Sequence, residues 1–453
     1  MCGVIGVYGV ENASTLAYHG LHRLQHRAKE SAGIATYDGT SSHYRAGMGI
    51  TLGVFDQFSL GELKGNVAIG HLRYSTKGTS DLIHAQPYTA RLDGLSLAVA
   101  HNGEIRDAYR LRETYSKSKE GRLFQTNSDS EIILHTFARS SPTDSLEDRL
   151  IETFAPIQHG SYSVTMLINS TLVGARDIRG VRPLVLGEIK DGYVLASEDC
   201  AFDLMGANYI REIEPGEILL INEGGLKSIK PFEMKRKAHC VFELAYFSHP
   251  ASSIFGLSTV EVREELGRQL ARVSPVNADV VIPVPDSGNP AALGYAAELG
   301  IPFRLGLNRD HYSGRTFIEP EQELRELGVE RKLSVTKSVV NGKRVVVVDD
   351  SIVRGTTSKR ITRLLRENGA RRIDWRIPFY PWKTRCVEGI DTATDGELAF
   401  NKYTSVEGIR ENIGADSLEF LTIEQTLSAV ETVARRRGVR LNTSDFCTAC
   451  GIK

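Results

Sequence analysis

The residues at the amino terminus could form a catalytic nucleophile. The sequence opens Met1-Cys2-Gly3, and removal of Met1, which is common before a small residue, would leave Cys2 with a thiol and a free α-amine. An α-amine with a pKa of roughly 7.7–8.0 can take the thiol proton near neutral pH, directly or through one water. A cysteine at position 2 considered alone is more often a small apolar residue at the start of a strand, so the neighbouring motifs decide.

Seven segments in the first third of the sequence resemble the amino-terminal-nucleophile glutamine amidotransferases, in that family's order and spacing. They are CGVIGVYG, GLHRLQHR, SAGIATYDG, GHLRYST, HAQPY, AHNGEI and QTNSDSE. The resemblance implies that Cys2 is the nucleophile and that Asn102 and Gly103 form the oxyanion hole. It also implies that Arg73 binds the carboxylate of glutamine and Asp129 its α-ammonium group. The alternatives are a structural ion pair for the charged residues and a hairpin turn for Asn102-Gly103.

A second set of functional residues lies at 345–357, which reads VVVVDDSIVRGTT. Four consecutive valines are typical of a buried parallel strand. Asp349 and Asp350 follow it directly, and two adjacent carboxylates at a strand end suit ribose hydroxyls or Mg²⁺. Gly355, Thr356 and Thr357 then open a helix, whose N–H groups and dipole favour an anion. The Gly-Lys signature of a Walker loop is absent from this stretch.

This stretch resembles the phosphoribosyl pyrophosphate loop of type I phosphoribosyltransferases, in which the two acids meet the ribose. The resemblance implies that the 5-phosphate is held by the residues that follow, namely Ser351, Arg354, Gly355, Thr356 and Thr357. Upstream, VPDSG resembles the family's pyrophosphate loop, so Asp286 and Ser287 are expected to bind the same substrate. Ser287 is further expected to complete a Mg²⁺ site with the two acids. A segment at 314–334 resembles the loop that closes over the substrate, and its expected contacts are Arg315 and Lys332.

Both motif sets in one chain resemble the glutamine phosphoribosylpyrophosphate amidotransferase family. That family releases ammonia from glutamine and attaches it to C1 of phosphoribosyl pyrophosphate, giving phosphoribosylamine, pyrophosphate and glutamate in the first step of purine synthesis. Two segments depart from the family pattern, His249-Pro250-Ala251 and 378–382. They motivate an alternative, a paralogue with a regulatory or nucleotide-sensing role. A second alternative, a sugar-phosphate transamidase, is disfavoured by the Asp349-Asp350 loop.

Four of the six cysteines lie where the iron–sulfur branch of this family has cysteines. They are Cys240, Cys386, Cys447 and Cys450, in the segments HCVFE, RCVEGID and FCTAC. The resemblance implies a structural 4Fe–4S cluster, because neither half-reaction needs electrons. Zinc bound by the same four thiolates, or free thiols, are the alternatives. Cys200 is expected to be a small buried residue.

Bulk composition excludes several function classes. The chain has 453 residues, a net charge of −1 and a hydrophobic fraction of 41%. A near-neutral balance gives no broad field for nucleic acid or an anionic membrane, and no apolar run is long enough to span a bilayer. Few cysteines and no secretory signal pattern predict a reducing, cytoplasmic location. The expected partners are glutamine and phosphoribosyl pyrophosphate, with purine nucleotides as feedback inhibitors and a homo-oligomer, dimer or tetramer, as the assembly.

The pattern of strands and helices predicts two domains that would position these residues. Short apolar runs bounded by Gly, Asn and Asp predict a largely antiparallel, helix-covered sheet in residues 2–235. Strands alternating with helices predict a parallel sheet in 236–453. With the resemblance, the expected fold is α/β and α+β: an N-terminal-nucleophile αββα sandwich followed by a type I phosphoribosyltransferase sheet. A helix at 422–438 and a cysteine-bearing tail should close the chain.

Overall fold

A computed structural model describes residues 1–74, 81–117, 124–190, 192–234, 236–309, 333–392 and 394–452. Two antiparallel sheets form the first half. The seven strands of one lie in the spatial order Asn208–Glu212, Val185–Ile189, Gly192–Ala196, Gly3–Tyr8, Val67–Arg73, Ser31–Tyr37 and Ser42–Met48. The six of the other lie in the order Gly225–Ile229, Ile218–Asn222, Thr171–Arg176, Ser161–Ile168, Leu95–Glu104 and Tyr88–Leu92.

Helices cover the outer faces of both sheets. One apolar cluster lies between the sheets and draws side chains from each of them. A second packs helices Ala13–Arg23 and Cys200–Met205 against the seven-stranded sheet. A third packs Glu131–Phe137 and Leu146–Phe154 against the six-stranded sheet. The layers therefore run helix, sheet, sheet, helix, which confirms the predicted αββα sandwich.

The second half contains a parallel sheet. Its four strands lie in the order Val280–Pro283, Arg344–Val348, Arg372–Ile377 and Ser417–Phe420. The four valines ending at Val348 are fully buried, as their unbroken apolar run predicts. Because the carboxyl ends of parallel strands share one edge, the loops after Pro283 and Val348 meet there. The predicted phosphoribosyltransferase sheet is confirmed.

The remaining elements connect and cover these sheets. The other helices of the first half are Thr51–Val54, Gln57–Glu62 and Ala108–Ser116, with short turns at Leu82–His84 and Ala155–Ile157. Those of the second half are Thr259–Val273, Asn289–Leu299, Lys337–Val340, Thr356–Glu367, Ala399–Tyr403, Val406–Ile413 and Ile423–Arg437, with turns at Glu243–Phe247, Asp395–Glu397, Thr443–Asp445 and Ala449–Gly451. Short strand pairs join His239–Cys240 to Phe446–Cys447, Ser253–Ile254 to Leu257–Ser258, and Leu307–Arg309 to Leu333–Val335.

Element boundaries follow local chemistry. The tail helix Ile423–Arg437 begins with a capping box from Thr422 and ends at Gly438 in the left-handed region, close to the predicted 422–438. The first helix, Ala13–Arg23, ends four residues before Arg27. Its chain turns early because Arg27 is drawn inward to bind the backbone of Cys2. The domain boundary at 235/236 lies between the strand that ends at Ile229 and the parallel sheet, and stays a prediction.

Candidate active sites

The structure places Cys2 at the start of a central strand of the seven-stranded sheet. Gly3–Tyr8 pairs with Gly192–Ala196 on one side and Val67–Arg73 on the other. The Cys2 thiol donates to the carbonyl of Tyr74 at 3.7 Å. Burial raises the pKa of this thiol, and the amino-terminal charge, the Tyr74 hydrogen bond and Arg73 oppose that rise. A thiolate at this position therefore needs a base close by.

Asn102 contributes a buried side-chain amide to the site. Its side chain is fully buried, and neither its Nδ2 nor its Oδ1 has a hydrogen-bond partner within the described residues. A buried amide without partners costs about 1–3 kcal/mol, so its retention indicates a ligand group. A developing oxyanion is such a group, because it accepts the N–H that Asn102 offers.

Gly103 follows on the same strand, with its backbone at φ 151°. A Cβ built there would lie 1.8 Å from the carbonyl oxygen of Ser161, so only glycine fits this close approach of two strands. The strand Leu95–Glu104 pairs with Ser161–Ile168, which sets Gly103 opposite Tyr162. The two expected oxyanion donors are thus consecutive residues on one rigid strand.

Arg73 and Asp129 lie close enough to act on the Cys2 charge, the former lowering and the latter raising the thiol pKa. Asp129 is fixed by the backbone N–H of Ile105, 2.8 Å from its Oδ2. The Arg73 guanidinium forms an ion pair with Glu30, a residue that the sequence analysis missed. Glu30 lies in the quoted family region immediately before SAGIATYDG, which was the available signal.

A buried polar network behind Asp129 was also missed. The Ser130 hydroxyl lies 2.8 Å from Nδ1 of His101, 3.4 Å from Oδ1 of Asp129 and 3.1 Å from Nε2 of Gln86. Gln86 in turn accepts the backbone N–H of His101 at 2.9 Å. Gln86 and His101 belong to the segments HAQPY and AHNGEI, so these motifs supply the support of the site as well as its contacts.

The two acids of the second site are buried at the carboxyl edge of the parallel sheet. Asp349 and Asp350 are only 7% and 8% exposed. Burial and the charge of Asp350 raise the pKa of Asp349, and burial likewise raises the pKa of Asp350. Hydrogen bonds from Ser287 and Ser351 to Asp350 partly offset that rise. Two buried carboxylates beside a serine hydroxyl are a donor set that fits Mg²⁺.

One cleft of about 690 Å³ gathers the described residues that were assigned to phosphoribosyl pyrophosphate. Its walls include Asp286, Ser287, Asp349, Asp350, Ser351, Arg354, Gly355, Thr356 and Thr357. The helix Thr356–Glu367 begins in this wall, as expected for a phosphate site. The predicted contacts Arg315 and Lys332 lie outside the described residues.

Further residues line this cleft that the sequence did not single out. Arg309 lies 3.3 Å from Asp286. Burial lowers the pKa of Arg263 to about 10, and the charge of nearby Asp350 opposes that fall. Tyr74 and Arg27 reach the cleft from the glutaminase half. Since Tyr74 also accepts the thiol of Cys2, one residue contacts both sites. Nothing in the sequence around Arg263 or Arg309 marks them, because their proximity arises only from folding.

The four cysteines assigned to a cluster converge at the junction of the two halves. Cys240 and Cys447 face each other across a short parallel strand pair. Burial raises the pKa of Cys450, and the charges of Cys240, Cys386 and Cys447 raise it further. Within the described residues, no three His, Cys, Asp or Glu side chains meet the spacing of a metal site as they stand. All six cysteines are free thiols.

Fold and sites together define a glutamine-dependent transferase of phosphoribosyl groups. Family models for a glutamine amidotransferase domain and a phosphoribosyl transferase domain match residues 71–203 and 264–380. The amidophosphoribosyltransferase of Bacillus subtilis (strain 168) is 46% identical over 431 residues, which cover 95% of this chain and 89% of that protein. The chain belongs to the amidophosphoribosyltransferase family, so the predicted function and enzyme class are confirmed.

Two solved structures are similar over the whole chain. One is described as the allosteric regulatory enzyme of purine biosynthesis, with 44% identity and a TM-score of 0.92, covering 100% of this chain and 95% of that one. The other is the B. subtilis glutamine phosphoribosylpyrophosphate amidotransferase complexed with ADP and GMP, with 44% identity and a TM-score of 0.91, covering 100% and 96%. Among the described helices, none is long and apolar enough to cross a membrane.

Proposed function

We propose that the glutamine half-reaction occurs at Cys2 once Met1 has been removed. The new α-amine takes the thiol proton, and the sulfur attacks the carboxamide carbon of glutamine. The carbon–nitrogen bond of the resulting intermediate breaks, ammonia leaves with a proton from the α-ammonium, and a thioester remains. Water then hydrolyses the thioester, which releases glutamate and restores the thiol. The short distance between amine and thiol on one residue supports this assignment.

The neighbouring groups have separate roles in this step. Asn102 Nδ2 and the Gly103 N–H stabilise the tetrahedral oxyanion, a role supported by the unmet buried amide of Asn102. Arg73 binds the substrate carboxylate and Asp129 the α-ammonium group. Glu30 holds the Arg73 guanidinium through their ion pair. Because substrate binding adds a second carboxylate beside Arg73, Glu30 should orient the guanidinium for a shared pair of anions.

The transferase half-reaction requires positioning more than a nucleophile from the protein. Asp349, Asp350 and Ser287 would hold Mg²⁺, which when bound neutralises charge on the departing pyrophosphate. Residues 354–357 hold the 5-phosphate at the helix amino terminus. Ammonia attacks C1 as the bond from C1 to the pyrophosphate oxygen breaks, and exclusion of water favours ammonia as the acceptor.

Ammonia has to travel from Cys2 to the cleft. Tyr74 contacts the Cys2 thiol and lines the cleft, so the route passes beside this residue. Met1 is fully buried and packs in the apolar cluster of the transferase half, together with Val181 and Phe242. Removal of Met1 would therefore free the catalytic amine and also vacate buried space in this apolar cluster. Apolar walls of this kind would favour neutral ammonia over ammonium.

The four cysteines are proposed to hold a 4Fe–4S cluster with a structural role. Mutual charge effects among the four thiols support a shared site, and the Tyr380 hydroxyl lies 3.4 Å from the Cys450 sulfur. Anaerobically purified protein should be brown, and Cys447→Ser should remove the colour and the bound iron, whereas Cys200→Ser should keep both. Colourless wild-type protein with stoichiometric zinc would replace this proposal with a zinc site.

Regulation and assembly complete the proposal. Purine nucleotides are proposed feedback inhibitors, as the ADP and GMP bound to the B. subtilis structure suggest, and the chain is proposed to form a homo-oligomer. A reducing compartment such as the cytoplasm suits the reactive thiol. A regulatory paralogue is the second candidate, because His249 of the altered 249–251 segment lines the cleft, with its ring centroid 5.2 Å from that of His26 in an edge-to-face arrangement. Glutamine-dependent pyrophosphate release would argue against it.

The observation that carries the proposal is the presence of both sites in one chain, joined by Tyr74. The test compares Cys2→Ala and Asp349→Asn with glutamine or ammonia as the nitrogen source. Cys2→Ala should lose glutamine-dependent synthesis by roughly 10³-fold or more and keep ammonia-dependent synthesis. Asp349→Asn should lose both. Equal loss of both activities in Cys2→Ala would contradict the two-site scheme, and Cys200→Ala serves as the control cysteine.

A further inference from the structure

The 386–389 segment of the transferase half inserts into the glutaminase half beside the oxyanion hole. Glu388 is 3% exposed, and every described polar contact of its side chain crosses to the other half. Its carboxylate binds both terminal nitrogens of Arg179, at 2.9 and 2.8 Å, and forms a second ion pair with Arg106. The bidentate pair fixes the direction of the carboxylate as well as its position.

The Glu388 backbone is anchored as firmly as its side chain. Its carbonyl accepts the hydroxyl of Ser161 at 3.0 Å and Nε of Arg182 at 3.1 Å, and both donors are fully buried. Ser161 is the residue whose own carbonyl excludes a side chain at Gly103. The anchor of the inserted segment and the support of the oxyanion-hole strand are therefore the same residue.

Gly389 packs directly on the backbone of Gly103. A Cβ built on Gly389 would lie 2.6 Å from both the carbonyl carbon and oxygen of Gly103 and 3.0 Å from its Cα. The backbone of Gly389 is at φ 91°, a region that favours glycine. Gly103 is thus confined between the strand at Ser161 on one side and Gly389 on the other. Gly389 thus lies against the Cα and carbonyl of Gly103, the part of the residue that follows the proposed donor N–H.

We infer that Gly389 is a positioning residue for the oxyanion hole, supplied by the transferase half and held in place by Glu388. An oxyanion donor is effective only when its N–H is fixed before the charge develops, since reorientation during the reaction would cost free energy. Contact of Gly389 with the Cα and carbonyl of Gly103 restricts the backbone movement that would turn the adjoining Gly103 N–H away from the oxyanion. The glutaminase site is therefore completed across the junction of the two halves. This inference rests on the proposed role of Gly103 as a donor.

The test replaces Gly389 by alanine. Its methyl group would displace the Gly103 peptide, so kcat for glutamine hydrolysis should fall roughly 10- to 100-fold, less than the 10²–10³-fold typical of a lost donor. The KM for glutamine should stay within about threefold, because Arg73 and Asp129 are not moved. Ammonia-dependent synthesis should be unchanged. Alkylation of Cys2 by iodoacetamide, which forms no oxyanion, should also keep its rate.

Two further variants keep the test decisive. Glu388→Gln preserves the backbone contacts but weakens the ion pairs with Arg106 and Arg179, and should lower kcat in the same way by a smaller factor. It decides the question alone if Gly389→Ala does not fold. Val387→Ala, at a side chain 47% exposed on the same segment, should match the wild type.

Three outcomes would overturn the inference. One is a wild-type kcat in Gly389→Ala and Glu388→Gln. Another is a parallel fall of kcat, iodoacetamide reactivity and ammonia-dependent synthesis, which would indicate general disruption. The third is an equal fall in Val387→Ala. Full glutaminase activity in Asn102→Ala would instead remove the oxyanion assignment itself, so the two failures are distinguishable.

Discussion

The two active sites of this chain balance charge in opposite ways. Around Cys2 two arginines are already paired: Arg73 with Glu30, and the fully buried Arg27 with Glu198 and Glu243. In the cleft, Asp349 and Asp350 are adjacent and buried, and the pKa of each is raised by burial. These two arginines are therefore held in ion pairs before substrate arrives, whereas neither Asp349 nor Asp350 forms an ion pair with a described residue.

The difference follows from the chemistry of each step. A covalent attack on an amide needs groups that are fixed around one carbon. In the glutaminase site the Asn102 amide has no described hydrogen-bond partner, so it is available to donate to the oxyanion. Transfer of a phosphoribosyl group needs a cation and a polyanion to be captured together. A cleft that is incomplete without them binds both more strongly than a site whose charges are already neutralised.

The largest expected effect concerns the paired charges of the first site. Arg27→Met removes the partner of two buried carboxylates, Glu198 and Glu243, and should lower the free energy of unfolding by about 3–5 kcal/mol. Denaturant midpoints of the two proteins measure this change. The matched control is Lys227→Met, which breaks an exposed pair with Glu147 and should cost about 0–1 kcal/mol. Similar costs for the two variants would refute the claim that pairing around Cys2 is structurally important.

The second-largest expected effect concerns Asn102, the proposed oxyanion donor. Asn102→Ala should lower kcat for glutamine hydrolysis by about 10²–10³-fold with little change in KM, because the oxyanion forms only after substrate binds. Stability should not fall in proportion, since no described partner of the Asn102 amide is lost. Steady-state kinetics together with a denaturation curve separates these effects. A raised KM with an unchanged kcat would assign Asn102 to substrate binding instead.

Contiguous motifs explain why much of both sites was predictable from sequence. Cys2, Asn102-Gly103 and Asp349-Asp350 lie within short segments whose residue types already imply their chemistry. Each also lies at or next to the end of a strand, so the same residues indicated both the fold class and the site. The predicted αββα sandwich and parallel sheet followed from apolar runs that the structure places in buried strands.

Residues whose role depends on packing between the halves were not predictable. Glu388 meets Arg106 and Arg179 across more than two hundred positions of sequence, and Gly389 acts only through its contact with Gly103. No local pattern encodes such a meeting, because it results from how two separately folded sheets pack. Glu30 is an intermediate case, since it adjoins a recognised motif but gains its role only when it pairs with Arg73.

The smallest effect tests the unbalanced charge of the second site. In metal-free protein, the raised pKa of Asp349 means that the folded state binds protons more tightly than the unfolded state. Its contribution to stability is therefore present at low pH and is lost as the pH rises above the unfolded value of about 3.8. Asp349→Asn removes the carboxyl group whose ionisation destabilises the folded state. At pH 7 and without Mg²⁺ the variant should therefore be more stable than wild type by about 0.5–2 kcal/mol.

Denaturation in EDTA and then in excess Mg²⁺ measures both parts of that comparison. Mg²⁺ should stabilise the wild type by binding the folded state, and should stabilise Asp349→Asn much less. Glu419→Gln, at an exposed carboxylate on the outer strand of the same sheet, should show the wild-type dependence on Mg²⁺. A metal-free Asp349→Asn protein that is less stable than wild type would mean that the two acids are balanced within the protein. The contrast between the sites would then be lost, because the acids of the cleft would be as well balanced without ligand as the arginines around Cys2.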